Sequence, residues 1–178
     1  MKRWQAPLVL LFASIPLIHP HAATGILDEA DIGLLAHDVP IGVPRQESGV
    51  DTNGELRFVS PGLLAPILAP RPHVGFSVNS DGGNSYAYAG LTWTANFTSA
   101  LFADLGLGGA VHNGPDNSMS PTHKGLGTRG LFHEYLDFGA RFAASWNASI
   151  FFDHVSNADI GRHNPGLTNL GLRVGYAF

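Results

Sequence analysis

Leu167-Thr168-Asn169-Leu170-Gly171-Leu172-Arg173-Val174-Gly175-Tyr176-Ala177-Phe178 closes the 178-residue chain, and its alternation decides the fold. Leu170, Leu172, Val174, Tyr176 and Phe178 share one face, while Asn169, Gly171, Arg173, Gly175 and Ala177 share the other. A period of two is the signature of a strand with one oily face and one polar or small face. Trp146, Ala148, Ile150 and Phe152 oppose Asn147, Ser149, Phe151 and Asp153 in the same way. Ala87, Ala89, Leu91, Trp93, Ala95 and Phe97 likewise oppose Tyr86, Tyr88, Gly90, Thr92, Thr94 and Asn96. Working outward, eight such runs are closed by Gly, Pro, Asn or Asp. They span Leu27–Val39, Val50–Ser60, Arg71–Asn79, Ser85–Phe97, Leu101–Val111, Gly130–Phe142, Trp146–Asn157 and Leu167–Phe178. An even number of runs of about 9 to 11 residues predicts an all-β fold, an eight-stranded antiparallel transmembrane β-barrel.

Periodicity leaves open which face points inward. A soluble barrel turns its apolar face inside around a ligand, whereas a membrane barrel turns it out to lipid. Three features favour the membrane form: a leader, the absence of cysteine, and a terminal Phe178 in phase with the oily face, which resembles the terminal signature of bacterial outer-membrane barrels. The leader is read over residues 1–23, with Lys2 and Arg3, an apolar stretch from Pro7 to Ile18, and small residues at Ala22 and Ala23 near the cleavage point. The barrel domain is then expected over residues 24–178. The apolar stretch is too short to span a bilayer as a helix, and no later segment has 18 consecutive apolar residues.

Charge and composition exclude several functions. The chain holds 10 Lys+Arg and 14 Asp+Glu, and loss of Lys2 and Arg3 leaves 8 against 14, a net −6. No basic stripe remains for nucleic acid. Without cysteine there is no disulfide, no thiolate metal site and no cysteine nucleophile. His37, His73, His112, His123, His133 and His163 are dispersed without ligand spacing, so neither a metal nor a cofactor is expected. His112 reads as a hydrogen-bonding group inside the barrel. The glycines from Gly106 to Gly109 lack the Lys-Ser/Thr of a phosphate loop and read as sites of close packing.

Chemistry concentrates in Phe152-Asp153-His154-Val155-Ser156-Asn157-Ala158 and Asn164-Pro165-Gly166-Leu167. His154 and Ser156 are two apart on a strand, so their side chains leave one face with Cβ atoms about 7 Å from each other. A His–Ser hydrogen bond is geometrically possible there. A serine hydroxyl becomes a useful nucleophile when a base accepts its proton, a role imidazole fills in acyl transfer. Both residues continue the face of Trp146, Ala148, Ile150 and Phe152 and are expected on the barrel exterior. Polar groups on that face are tolerated near the membrane interface, where the ester bonds of a lipid lie.

These residues resemble the lipid A 3-O-deacylases of the PagL type, also called acyloxyacyl hydrolases, which are eight-stranded outer-membrane barrels. The resemblance is carried by His154, Ser156, Asn157, Ala158, Asn164, Gly166 and Leu172-Arg173-Val174-Gly175-Tyr176. Leu35-Ala36-His37-Asp38, Pro72-His73-Val74-Gly75 and Gly109-Ala110-Val111-His112-Asn113-Gly114 extend it upstream. It implies His154 as general base, Ser156 as nucleophile, and Asn157 and Asn164, or adjacent backbone N–H groups, as oxyanion donors. It also implies lipid A or lipopolysaccharide as substrate and an outer-membrane location, and it leaves room for a homodimer.

One position departs from the family. Its histidine is oriented by an acid two residues after the glycine that follows the Asn, and here that position is Thr168. A threonine accepts a hydrogen bond from imidazole but supplies no negative charge, and loss of that charge in the serine-protease template lowers turnover by about 10⁴. Asp153 should face the lumen. Asp159, in the following loop, is the first substitute acid by chain proximity; Glu134, on the outward face of its own run, serves only if that strand lies nearby. Two functions are therefore expected: an outer-membrane esterase using Ser156 and His154, or a non-catalytic structural or interaction barrel that has lost the triad acid. A soluble lipid-binding barrel is the third reading.

Overall fold

The alternating runs become β1 (Leu27–Ala36), β2 (Val50–Phe58), β3 (Arg71–Asn79), β4 (Tyr86–Asn96), β5 (Leu101–His112), β6 (Gly130–Arg141), β7 (Trp146–Ser156) and β8 (Leu167–Ala177). All neighbours are antiparallel, and β8 pairs back onto β1 to close the barrel. The structure is a computed structural model that describes residues 25–42, 44–117, 122–161 and 163–178. The leader expected over 1–23 lies outside the described residues. β1 stops short of Val39 because Asp38 takes a left-handed φ of 51°. Its N–H then turns to Asn169 Oδ1, 3.0 Å away on β8.

Burial settles the direction of the two faces. Leu172 is 66% exposed and the next residue, Arg173, 1%. The same inversion runs round the barrel, with Ile32, Leu107, Phe138 and Ile150 outside and Asp31, Asp104, Asp137 and Ser149 inside. An apolar exterior over a charged interior is the arrangement of a transmembrane barrel, and closure leaves no unpaired backbone edge in hydrocarbon.

The interior charges are paired, as burial requires. Arg57 donates to Glu55 Oε1 and Asp104 Oδ2, each at 2.7 Å. Arg71 donates to Glu29 Oε2 at 2.7 Å, and Arg173 lies 3.2 Å from Glu55 while covering the Phe151 ring at 4.1 Å. Above this cluster His133 stacks on Tyr88 with centroids 4.1 Å apart, and Tyr135 shares a 2.6 Å hydrogen bond with Thr92. Gly106 is the register partner of Tyr135, whose ring occupies the space a Cβ would take. Close packing is thus the role of that glycine.

Connections differ sharply between the two ends. At the end where β1 starts and β8 finishes, residues 97–100 and 142–145 form short turns, while residues 59–70 form a longer connection containing one 3₁₀ turn, Gly62–Ile67. The opposite end carries the connections 37–49, 80–85, 113–129 and 157–166. Short turns on the periplasmic side and long external loops are the rule for such barrels.

A buried hub ties the long loops together. Glu47 Oε1 accepts from Asn84 Nδ2 at 2.8 Å and Lys124 N at 2.7 Å, and Oε2 accepts from Asn84 N at 2.9 Å. His37 Nε2 lies 2.8 Å from Glu47 Oε2, and its Nδ1 lies 2.8 Å from Asp51 Oδ1. Burial opposes charge on His37, but the two carboxylates outweigh it and raise its pKa to about 9. Burial likewise disfavours charge on Glu47, yet its hydrogen bonds from His37, Asn84 and Lys124 hold its pKa below the ordinary value. Lys124 Nζ reaches the Asp38 carboxylate at 2.5 Å. The hub holds the 37–49 loop against the start of β8, where Val39 N donates to the Thr168 carbonyl at 2.8 Å.

Candidate active site

The site grows from the register of three strands. On β7, His154 stands opposite Glu134 of β6 and Thr168 of β8, so Glu134, His154 and Thr168 form one row across the outer face. The row below is Leu136, Phe152 and Leu170, and Ser156 stands in the row above, opposite Phe132. A polar row is thus set into an apolar stripe at the loop-bearing end of the barrel. His154 and Ser156 are half-buried there, while alternating Asp153 and Val155 are fully buried inside.

Thr168 supplies the hydrogen bond that orients the imidazole. Its Oγ1 lies 2.8 Å from His154 Nδ1 and 3.4 Å from the Ile41 carbonyl. A carbonyl can only accept, so the hydroxyl proton points to Ile41 and Nδ1–H donates to Oγ1. That assigns the proton to Nδ1 and leaves the Nε2 lone pair as the basic position. No hydrogen bond joins His154 to Ser156; among the described residues, Nε2 and the Ser156 hydroxyl have no partner. His154 Nε2 and the Ser156 hydroxyl therefore share a face and are both open.

The two asparagines differ. Asn157 Nδ2 donates to the carbonyls of Leu126 at 2.8 Å and His163 at 2.7 Å, tying the 157–166 loop to the 113–129 loop. Its backbone N–H donates to Asn164 Oδ1 at 2.9 Å. Its donors are thus engaged in holding the loops. Asn164 is fixed through its oxygen, and its Nδ2 has no partner among the described residues. Of the two side-chain amides, that of Asn164 is the one whose donors stay open.

The acids are distributed differently from their order along the chain. Asp159 follows Ala158 in a turn whose two central residues have φ of 49° and 61°, closed by Ile160 N to Asn157 O at 3.0 Å. It is exposed and has no ion pair or hydrogen bond among the described residues. Asp153 accepts from Tyr86 OH at 2.5 Å and lies 3.4 Å from His133, inside the barrel. Glu134, twenty residues upstream, is the carboxylate in register with His154. His112 is held inside by Asn84 Oδ1 at 3.0 Å and the Thr128 carbonyl at 2.9 Å. Sequence reasoning missed Glu47, Asn84 and Lys124, which fix the loops above the site. No local motif marks them, since each finds its partners through loops remote in the chain.

Comparison with known proteins gives a family and a fold. A family model described as lipid A 3-O-deacylase (PagL) matches residues 67–177, more than half of the chain. Among solved structures, the outer membrane enzyme PagL is similar at 15% identity and a TM-score of 0.60, covering 85% of this chain and 99% of that one. The outer membrane protein Ail of Yersinia pestis aligns at 13% identity and a TM-score of 0.49, over 86% of this chain and 100% of its own. No curated protein matches the chain. A homodimer gains no support from these likenesses.

Proposed function

The chain belongs to the lipid A 3-O-deacylase (PagL) family, and from that membership we propose that it is an outer-membrane esterase that removes the ester-linked 3-hydroxyacyl chain of lipid A through Ser156 and His154. One observation carries the reading: the outward-facing row in which Thr168 Oγ1 accepts from His154 Nδ1–H and so leaves Nε2 as the basic nitrogen, with Ser156 in the next row of the same face. Ser156 Oγ attacks the ester carbonyl carbon as its proton passes to His154 Nε2. The tetrahedral intermediate expels the sugar 3-oxygen, which takes that proton back, and an acyl-serine is left. Water then attacks the acyl carbon, giving its proton to His154 and releasing the fatty acid as Ser156 regains a proton. Asn164 Nδ2 is the donor offered to the oxyanion in both steps. The apolar rows around the site match a substrate that enters sideways from the leaflet, its acyl chain against Phe152 and Leu170.

Mass spectrometry of lipid A incubated with the refolded barrel tests this. Loss of one hydroxyacyl mass with the native chain, absent with Ser156→Ala, is the expected result; equal loss in both overturns the serine mechanism. A second reading rests on Thr168: a barrel that keeps the scaffold without turnover. It predicts no mass change with the native chain and a folded barrel.

A further inference from the structure

We propose that Glu134 is a positioning residue that supplies, from β6, the negative charge that Thr168 does not supply from β8. The inference rests on the deacylase reading above. Its basis is the register: Glu134 and His154 are directly opposed on antiparallel strands, which sets their Cβ atoms about 5 Å apart. The carboxylate stands on the lipid face between Phe132 and Leu136, where a charge is disfavoured unless something compensates it. It has no hydrogen bond or ion pair among the described residues. His154 is the group across from it that becomes cationic during turnover. Thr168 and Glu134 thus divide one task. The hydroxyl, on one side, fixes ring orientation and tautomer, and the carboxylate, on the other, favours the imidazolium through space, in surroundings less polar than water.

Other charges near His154 act from inside the barrel wall or from the loops. His133 on β6 and Asp153 on β7 lie on the lumenal side, and Lys124 sits in the 113–129 loop. β8 contributes no ionisable group to the row. Glu134 is therefore the acid on the same face as the imidazole.

Glu134→Gln keeps shape and removes charge. Imidazole NMR of the refolded barrel is expected to show His154 titrating lower in Glu134→Gln than in the native chain, and kcat is expected to fall about tenfold with KM little changed. Thr168→Glu added to Glu134→Gln should restore much of the loss, because it returns a carboxylate to the other side of the ring. An unchanged His154 titration in Glu134→Gln overturns the inference. If the titration moves while neither the native chain nor Ser156→Ala releases fatty acid, the deacylase reading fails and the electrostatic pairing stands.

A separate observation carries a second inference. Residues 59–70, Val-Ser-Pro-Gly-Leu-Leu-Ala-Pro-Ile-Leu-Ala-Pro, contain no charge, and Leu63 and Leu68 are 78% and 66% exposed. Trp93, on the outer face of β4, donates Nε1–H to the Ile67 carbonyl at 2.8 Å, strapping the segment to the barrel exterior. The segment continues the lipid-facing band at the end where β1 starts and β8 finishes. We infer that it lies in the leaflet on that side, its leucines among acyl chains, as an interfacial anchor. A fluorophore on Leu63→Cys or Leu68→Cys in phosphatidylethanolamine–phosphatidylglycerol vesicles should be quenched by doxyl-labelled lipid as strongly as one on Val174→Cys. Quenching by aqueous iodide instead, with doxyl lipid ineffective, overturns it.

Discussion

Thr168→Val removes one oxygen and little else. The hydroxyl that disappears holds His154 Nδ1 at 2.8 Å and reaches the Ile41 carbonyl at 3.4 Å. Valine has nearly the shape of threonine, so the packing of this fully buried position persists. Ile41 is exposed and takes water in place of the hydroxyl. What is lost is the bond that orients the ring and keeps the proton on Nδ1. A side-chain hydrogen bond is worth about 0.5–1.5 kcal/mol net, and each 1.36 kcal/mol in a barrier is a factor of ten. The expected drop in kcat is thus between about twofold and tenfold, well short of the loss for Ser156→Ala. Thr168→Ser, which keeps the oxygen, should stay near the native rate. The assay is the initial rate of 3-hydroxy fatty acid release from lipid A in mixed micelles, with the heat-modified electrophoretic shift as the check on folding. A native kcat in Thr168→Val refutes the assignment of tautomer and orientation to Thr168.

Three further predictions concern the scaffold. His37 has a folded pKa raised to about 9 from an ordinary 6.5, so its contribution to loop closure is complete below pH 6.5, declines above it and is lost above about 9. At 1.36 kcal/mol per pH unit this is about 3 kcal/mol, and protease nicking of residues 37–49 should rise between pH 7 and 10 in the native chain but lose that dependence in His37→Gln. Gly106→Ala drives a Cβ into the Tyr135 ring and should lower the urea midpoint of the refolded barrel by the equivalent of about 1–3 kcal/mol; an unchanged midpoint shows that the ring moves freely. Arg57→Met removes the cation shared by Glu29, Asp31, Glu55 and Asp104 and leaves only Arg71 and Arg173 to offset them, and should cost roughly 3–5 kcal/mol by the same measure.

The alternation of Leu172 with Arg173 makes the strands and their two faces legible in the sequence, because a strand's period is a local property. His154 and Ser156 are legible for the same reason, being two residues apart on one strand. The row of side chains across His154 is not local. Glu134 stands opposite His154 only through the register of β6 on β7, whereas proximity along the chain points to Asp159, which the turn at Ala158 leaves exposed. The loop hub is equally hidden, since Glu47 and Lys124 are 77 residues apart and carry no motif. Direction of the faces also needs the closed barrel, since the same period serves a soluble barrel and a membrane one.

The asparagines give the sharpest separation of catalysis from structure, because the sequence presents them as equals. Every donor of Asn157 is engaged: two carbonyls hold its amide, and Asn164 Oδ1 takes its backbone N–H. Asn157→Ala leaves two loop carbonyls without their donor, so its effect should appear in loop stability, read as faster proteolysis of residues 113–129. Asn164→Asp keeps the oxygen that accepts from Asn157 N–H and replaces only Nδ2, so the loop stays closed. If Nδ2 is the oxyanion donor, removing it should lower kcat by about 10²–10³ with proteolysis unchanged. Asn164→Asp also places a charge beside the developing anion, so Asn164→Ala serves as the neutral control for the rate and should fall in the same range. A native rate in both Asn164 variants would move the oxyanion site away from this loop and onto backbone N–H groups elsewhere on the rim.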